Sequence, residues 1–284
     1  MVSLNSVHEL PPDYWRHEDT CITLRDQLHR HVVGLHVRFQ IEKKVRHEFF
    51  TGFLMYHDEA HLWVSAGHVI QKIRQMLADR RIEKLNAALV DHSSPNTADC
   101  IPIDIASLPT FEHDPEGCDF GAIGLRMNVA ALLRCNPYTR FLTSDIWKGR
   151  DVSAPDGMYV VGHPYVWNRF HEERDGGGSL KTNVACLPAV PIEDRGKDAN
   201  EGTTSFWGHR DCFYGQLIPF INTNELLVSD IRGMSGGPIF SIHREQGKLV
   251  YRLQGMQGSI LGRDLIRGAH VREIERMFVA KASH

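Results

Sequence analysis

The chain has 284 residues, of which 42% are hydrophobic and 24% charged, and its formal net charge is −3. This is the composition of a folded globular protein with enough chain for one large domain or two small ones, and it excludes an intrinsically disordered chain. The sequence has no run of basic residues and a slight excess of acidic ones, so we do not expect nucleic acid as a partner.

No stretch reaches the roughly 18 uncharged apolar residues that span a bilayer, so we expect no membrane partner. The amino terminus has no basic region followed by an apolar stretch, and we therefore expect no secretory signal and a cytoplasmic location. The six cysteines show no C-x-x-C spacing, which predicts reduced thiols rather than disulfides or a zinc knuckle. Since no H-E-x-x-H pair occurs either, we expect neither a metal nor an organic cofactor.

The first part of the chain combines a polar segment, strands and a helix. Residues 1–30 contain a Pro-Pro pair and many polar residues and are predicted to form a short arm or helix outside the core. Segments rich in β-branched and aromatic residues follow at 31–39, 49–56 and 62–65, which is typical of strands. Apolar residues from 70 to 89 then recur at steps of three and four, which predicts a helix that the polar stretch Asp-Arg-Arg could break in two.

After this helix, short apolar runs again alternate with turn residues. The runs lie at 122–125, 158–162, 226–228, 238–242 and 249–253. Many short strands separated by turns indicate a mainly β protein, a barrel or sandwich rather than a βα array. The polar stretch 167–215 is too long for a simple hairpin and is predicted to be an insertion with the character of a functional loop. Val271, Ile274, Met277 and Phe278 share one helical face, which predicts a C-terminal amphipathic helix.

Three short segments carry residue types that catalyse acyl transfer when they meet in space. His68 lies in Val-Ser-Ala-Gly-His-Val at a strand end, Asp119 lies in Cys-Asp-Phe-Gly-Ala-Ile before an apolar strand, and Ser235 lies in Gly-Met-Ser-Gly-Gly-Pro. Each has a structural explanation: a lone histidine or aspartate is ordinary, and a glycine-framed serine also suits a tight turn or an anion-binding loop. A serine hydroxyl, however, becomes nucleophilic beside a base, and that base needs an orienting partner. The sequence supplies these types in the order His, Asp, Ser.

In this order and setting, the three motifs resemble those of the chymotrypsin-like serine proteases, and the resemblance covers most of the chain. It implies a mainly β fold of two six-stranded antiparallel Greek-key barrels. The first barrel, at 31–150, would carry His68 and Asp119, and the second, at 151–284, would carry Ser235 and end in the C-terminal helix. The implied function is hydrolysis of peptide bonds in a protein or peptide substrate through an acyl-enzyme.

The resemblance also implies a role for each residue. His68 matches the general base, Asp119 the residue that orients the imidazole, and Ser235 the nucleophile. The backbone N–H groups of Gly233 and Ser235 match the oxyanion hole, which stabilises the charge of the tetrahedral intermediate.

Five residues match positions that contact the substrate in this family. Ser229 matches the base of the primary specificity pocket, with Asp230 beside it. An aspartate there would favour Arg or Lys in the substrate, whereas a serine would leave the neutral pocket that we expect. Gln254, Met256 and Gly258 lie in the strand that matches the edge to which a substrate backbone pairs.

Two departures from secreted trypsin relatives put the sequence nearer to the bacterial, HtrA-like branch. Val69 follows the histidine where those relatives have a disulfide-bonded cysteine, and Met234 precedes the serine where their zymogens have an aspartate. The segment 159–164, Tyr-Val-Val-Gly-His-Pro, is similar to a strand end of the HtrA-like proteins. Too few residues follow Pro238 for the rest of a barrel and a PDZ module, so we expect a protease domain without PDZ.

Two other functions stay open from the sequence alone. One is a pseudoprotease, a catalytically silent module that binds a protein through the cleft. The other is an esterase or other acyl transferase, although Gly-Gly-Pro after the serine differs from the strand-turn-helix elbow of α/β-hydrolases. Because the sequence has no cleavable zymogen start, we expect another restraint: the 1–30 arm or the 167–215 stretch would cover the cleft until a regulatory protein partner binds.

Overall fold

The structure, a computed structural model, describes residues 13–91, 99–112, 119–147, 155–172, 178–192, 212–221, 228, 230–246, 248–261 and 264–275. The helices of this part are α1 (Glu18–Leu28), α2 (Gly67–Ala78), α3 (Met127–Cys135) and α4 (Ser144–Trp147). The strands of the first half are β1 (Gly34–Ile41), β2 (Lys44–Phe50), β3 (Phe53–His57), β4 (Ala60–Ser65), β5 (Ile82–Asp91), β6 (Asp99–Ile103), β7 (Thr110–Glu112) and β8 (Gly121–Gly124). Those of the second half are β9 (Gly157–Gly162), β10 (Arg169–Glu172), β11 (Gly178–Lys181), β12 (Ala185–Pro191), β13 (Cys212–Leu217), β14 (Pro238–Glu245), β15 (Lys248–Leu261) and β16 (Leu265–His270). The protein is mainly β, as predicted.

The second half contains a closed barrel of six antiparallel strands in the order β12-β13-β16-β15-β14-β9. Strand β9 is buried at every position. Met158 and Val160 belong to the apolar cluster inside the barrel, while the alternate residues Tyr159 and Val161 belong to a second cluster that is shared with the first half. A strand buried on both faces reads as a continuous apolar run, which explains its sequence. One of the two predicted six-stranded barrels is therefore confirmed.

The first half does not show the second barrel that the resemblance implied. Its described strands form two four-stranded antiparallel sheets, β2-β1-β5-β6 and β3-β4-β8-β7. The start of β2 is exposed on both faces. The β1-β2 hairpin therefore has no apolar surface at that end whose burial would favour closure into a barrel. A single apolar cluster contains side chains from both halves, including Leu35, Trp63 and Phe240. The predicted domain boundaries at 31–150 and 151–284 therefore stay a prediction.

The helix predicted from Ile70 onward is correct only in its first part. Helix α2 ends at Ala78, and the residues that continue the three-and-four spacing form strand β5. Strand β5 is hydrogen-bonded between β1 and β6, and its Leu89 is buried. The hydrogen bonds to a strand on each side make this segment a strand, although the spacing of Ile82, Leu85 and Leu89 favours a helix.

The described part of the 1–30 segment contains helix α1 and packs into the core, which corrects the prediction that a short arm or helix lies outside it. Trp15 and the α1 residues Leu24 and Leu28 are buried. The Trp15 ring lies edge-on to the Tyr159 ring at a centroid distance of 6.4 Å. A Cβ at Gly157 would lie 2.0 Å from the Trp15 ring, so the glycine makes room for it. Residues 1–12 lie outside the described part.

The stretch 167–215 is not a single insertion. It supplies the two-stranded sheet β10-β11 and the barrel strands β12 and β13, while residues 173–177 and 193–211 lie outside the described part. At the other end, residues 271–275 are helical and Val271 and Ile274 are buried. Met277 and Phe278 lie outside the described residues, so the complete C-terminal helix stays a prediction.

Five cysteines lie in the described part, and none of the five forms a disulfide. Cys118 lies outside it. Within the described ranges, every helix falls short of the length and apolar character needed to cross a bilayer.

Two fully buried histidines predict a loss of stability in mild acid. Burial lowers the pKa of His31 to about 4 and that of His163 to about 3, although a backbone hydrogen bond to each ring acts in the opposite direction. The unfolded chain takes up these protons below about pH 6.5, whereas the folded chain does so only at much lower pH. The free energy of unfolding should therefore fall from pH 7 to pH 5, by about 2 kcal/mol for each of the two rings.

Urea unfolding of wild type and His31→Gln at the two pH values measures this effect. A glutamine at position 31 offers a donor group and an acceptor group, as the neutral ring does, and does not take up a proton, so we expect it to reduce the loss by about 2 kcal/mol. The same change at the half-exposed His17 should leave the loss unaltered. An equal loss in wild type and His31→Gln would contradict the prediction.

Candidate active site

His68 is held in one orientation by Asp119. Strand β4 ends at Ser65 and α2 begins at Gly67, so the imidazole stands on the first turn of a helix. The Nδ1 atom of His68 lies 2.6 Å from Asp119 Oδ2, and the backbone N–H of His68 donates to Asp119 Oδ1 at 2.8 Å. An ionised carboxylate only accepts hydrogen bonds, so Nδ1 carries the ring proton and Nε2 is left as a base.

Asp119 lies two residues before the start of β8, with 13% of its side chain exposed. Burial alone would raise the pKa of this carboxyl, but the hydrogen bonds and charge of His68 and the charge of Arg267 outweigh it, and the pKa is lowered. Glycines leave room for the carboxylate, since a Cβ at Gly67 would lie 3.2 Å from Oδ1 and one at Gly258 3.1 Å from Oδ2. Asp119 is therefore ionised near neutral pH.

Ser235 lies in a tight loop, residues 232–237, that leads into β14. Gly233 and Gly236 both have a φ of +93°, in the left-handed region where a side chain is strained. A Cβ at Gly236 would also lie 2.1 Å from Ser65 Oγ and 2.4 Å from the carbonyl oxygen of Thr51. Gly236 is therefore required for the loop to pack against the first half of the protein, and Gly233 for it to pack against residues 163–165.

The loop directs two backbone N–H groups away from its own hydrogen bonds. The carbonyl of Arg232 accepts from the N–H of Tyr165 at 2.6 Å, and the carbonyl of Met234 accepts from the N–H of Gly237 at 2.8 Å. In a trans peptide the next N–H points opposite to the carbonyl, so these bonds fix the N–H directions of Gly233 and Ser235. Neither N–H donates to any residue that the structure describes.

Thr51 connects this loop to the half of the protein that carries His68. Its fully buried hydroxyl donates to the carbonyl of Gly233 at 2.6 Å and accepts from the N–H of His163 at 3.0 Å. Its own carbonyl accepts from Ser65 Oγ at 2.7 Å. Sequence reasoning missed Thr51, because a threonine between two strands has no local feature that indicates a partner 182 residues away.

His68 and Ser235 line the same open cavity, which has a volume of about 390 Å³. The other lining residues are Glu48, Phe49, Phe50, Val69, Lys72, Tyr165, Arg232 and Gly233. Within the described part of the chain, no hydrogen bond joins Ser235 Oγ to His68, whose ring bonds to Asp119. Such bonds are often long in a free enzyme and tighten when the substrate binds.

Of the two residues expected at the specificity pocket, the structure describes one. Ser229 lies outside the described residues. Asp230 is bound to Arg232, which donates from Nε to Oδ2 at 2.8 Å and from its backbone N–H to Oδ1 at 3.0 Å. The charge of Asp230 is therefore matched within the loop, which leaves it a poor partner for a substrate Arg or Lys.

Of the three residues expected at the substrate edge, Gln254 and Met256 already have partners within the protein. Met256 is fully buried and pairs with β14 on one side and β16 on the other, and the Gln254 side chain bonds to His270. The backbone of Gln257 still bonds to the serine loop. Gly258 is thus the first residue of the three whose position leaves one side of the strand open to a substrate.

The described residues offer no candidate metal centre, since no three His, Cys, Asp or Glu side chains gather as a group that could hold an ion. Of the ligand-type side chains at the site, His68 and Asp119 bind each other and Glu48 forms an ion pair with Lys72.

Comparison with protein-family models gives no match, and comparison with curated proteins gives none either. Among solved structures, a structure of GrC is similar at 14% identity and a TM-score of 0.47, over 90% of this chain and 96% of that one. The protease Anisep from Arthrobacter nicotinovorans is similar at 12% identity and 0.39, over 85% and 90%. A structure from work on coupled folding and binding of the Sesbania mosaic virus VPg protein is similar at 12% and 0.39, over 85% and 87%. With all three TM-scores below 0.5, the function has to be argued from the site itself.

Proposed function

We propose that the protein is a serine endopeptidase of chymotrypsin-like fold that hydrolyses peptide bonds of a protein or peptide substrate. One observation carries the proposal: Asp119 Oδ2 lies 2.6 Å from Nδ1 of His68, whose other nitrogen is free to act as a base beside a cavity that Ser235 also lines. This is the arrangement that a serine nucleophile needs.

In the proposed reaction, Ser235 Oγ attacks the carbonyl carbon of the scissile bond while Nε2 of His68 takes the hydroxyl proton. The Asp119 carboxylate stabilises the imidazolium that forms. The N–H groups of Gly233 and Ser235 receive the developing oxyanion, and each such donor is typically worth about 3 kcal/mol. His68 then returns the proton to the leaving amine as the C–N bond breaks. Water next attacks the acyl-enzyme and gives a proton to His68, which passes it to Ser235 Oγ as the ester C–O bond breaks and the acid product leaves.

Several finer features belong to the same proposal. Val69 and Met234 support a protein nearer to the HtrA-like branch than to secreted trypsins. The internal pairing of Asp230 with Arg232 supports a neutral specificity pocket. The proposal also includes a cytoplasmic location, a reaction without metal or organic cofactor, and restraint of the enzyme by a regulatory protein partner.

The pseudoprotease alternative is less well supported than the enzyme. A silent binding module needs neither an ionised carboxylate on the buried side of a histidine nor two backbone N–H groups directed away from their own loop. Both features, in contrast, are required for catalysis.

Labelling with a fluorophosphonate tests the proposal. We expect stoichiometric modification of wild type at Ser235, located by peptide mapping, because the probe reacts only with an activated hydroxyl. Ser235→Ala should not be labelled, whereas the control Ser144→Ala, at the start of α4, should be labelled like wild type. An unlabelled wild type would support the binding module instead, and equal labelling of Ser235→Ala would show that Ser235 is not the nucleophile.

Peptidase and esterase are then separated by mass-spectrometric mapping of new termini in a denatured protein mixture. Peptide cleavage by wild type and not by Ser235→Ala supports the peptidase. Labelling of Ser235 without any peptide cleavage would favour an esterase.

A further inference from the structure

A second cavity, with a volume of about 580 Å³, lies where the segment after α3 faces the start of β15. Its lining includes the side chains of Arg134, Arg140, Tyr56, Phe141 and Tyr251. None of its lining residues lines the cavity that contains Ser235, so it is independent of the proposed function. The volume is that of a small-molecule site. We refer to it as the arginine cavity.

The charge of the arginine cavity is positive. Arg134 and Arg140 form no ion pair with any residue in the described part of the chain. A third guanidinium, that of Arg252, is bound to Glu245 at 2.6 Å. The lining contains one carboxylate, Asp145, which accepts a hydrogen bond from the Thr143 hydroxyl. Two guanidiniums are therefore available to an anion.

The aromatic side chains of the cavity are held in place. The Arg134 guanidinium lies 5.5 Å from the ring centroid of Tyr56 and 5.8 Å from that of Phe141. Such cation–π contacts position the guanidinium beside the two rings. The walls thus combine flat apolar surface with cationic groups.

A buried hydrogen-bond chain fixes the inner wall. His31 is neutral, since burial lowers its pKa to about 4, and its Nδ1 lies 2.9 Å from the carbonyl of Arg140. The ring proton is therefore on Nδ1, and Nε2 accepts from the Tyr251 hydroxyl at 2.8 Å. Both Tyr251 and the backbone of Arg140 are thereby positioned by one ring.

We propose that the arginine cavity binds a small aromatic ligand that carries a carboxylate or a phosphate. Arg134 and Arg140 bind the oxyanion, because a guanidinium matches the geometry of both groups. The rings of Tyr56, Phe141 and Tyr251 contact the aromatic body.

Titration calorimetry of the full chain at low ionic strength tests this with three probes: phenyl phosphate, benzoate and uncharged benzyl alcohol. We expect at least one of the two anions to bind and the alcohol not to bind, with an affinity that falls as salt is added. Comparison of phenyl phosphate with benzoate identifies the preferred oxyanion.

Arg140→Gln and Arg134→Gln should each weaken binding of the anion about tenfold, the effect of one lost charge-assisted hydrogen bond. Arg46→Gln, which changes an exposed arginine of β2, should leave binding unchanged. A thermal unfolding transition of each variant tests whether it is folded. If Arg140→Gln does not fold, binding by Arg134→Gln decides whether the proposal holds. The proposal is overturned by failure of both anions to bind at millimolar concentration, by equal binding of benzyl alcohol, or by unaltered binding in the folded arginine variants.

Discussion

Replacing Asp119 with asparagine is expected to lower kcat for peptide hydrolysis by about 10⁴-fold. The asparagine side chain would offer an N–H group where the carboxylate now accepts from Nδ1 of His68 at 2.6 Å. The ring would then carry its proton on Nε2, the atom that has to accept the proton of Ser235. The imidazolium of the transition state would also lose its negatively charged partner.

Asp79→Asn is a matched control for this effect. Asp79 lies just after α2, the helix that carries His68, and like Asp119 it accepts from a backbone N–H and from a side chain, here both of Arg81. This pair is exposed, so its loss should leave kcat unchanged. A kcat of Asp119→Asn within about tenfold of wild type would show that the carboxylate does not set the tautomer of His68.

The features that depend on residues close together in the chain could be predicted from the sequence. A serine among glycines indicates a loop in which the backbone takes positive φ, and Gly233 and Gly236 do so at +93°. The run of apolar residues in β9 indicates a strand buried on both faces, as it is in the barrel. The ion pair of Asp230 with Arg232 could also have been predicted from the sequence, since the two residues are only two positions apart.

The remaining features depend on contacts between distant segments. The sequence of β5 has helical spacing, and only the strands β1 and β6 on either side make it a strand. Trp15 is buried because it meets Tyr159 from the other half of the chain. The free edge of β15 begins at Gly258 because β14 and the serine loop occupy the strand before it. Such pairings follow from topology, which local patterns do not determine.

Thr51→Val is expected to lower kcat by about 10- to 100-fold with little change in KM, because an oxyanion-hole donor is typically worth about 10²- to 10³-fold. This expectation rests on the proposed function. The valine keeps the shape of the threonine but cannot donate to the carbonyl of Gly233, now 2.6 Å from the hydroxyl. That carbonyl belongs to the peptide between the two N–H groups that would bind the oxyanion. Loss of its hydrogen bond would therefore let the directions of both N–H groups vary.

Three measurements distinguish this positioning role from a general loss of stability. The affinity for a peptide aldehyde, which forms a tetrahedral adduct with Ser235, should fall in parallel with kcat. Thr51→Ser retains the hydroxyl and should restore most of kcat. Ser241→Ala removes another buried hydroxyl, one that donates to the carbonyl of Arg252 far along the barrel strand, and should lower stability without lowering kcat. If Thr51→Val loses stability to the same extent as Ser241→Ala and keeps its kcat, the hydroxyl of Thr51 stabilises the fold and does not position the oxyanion hole.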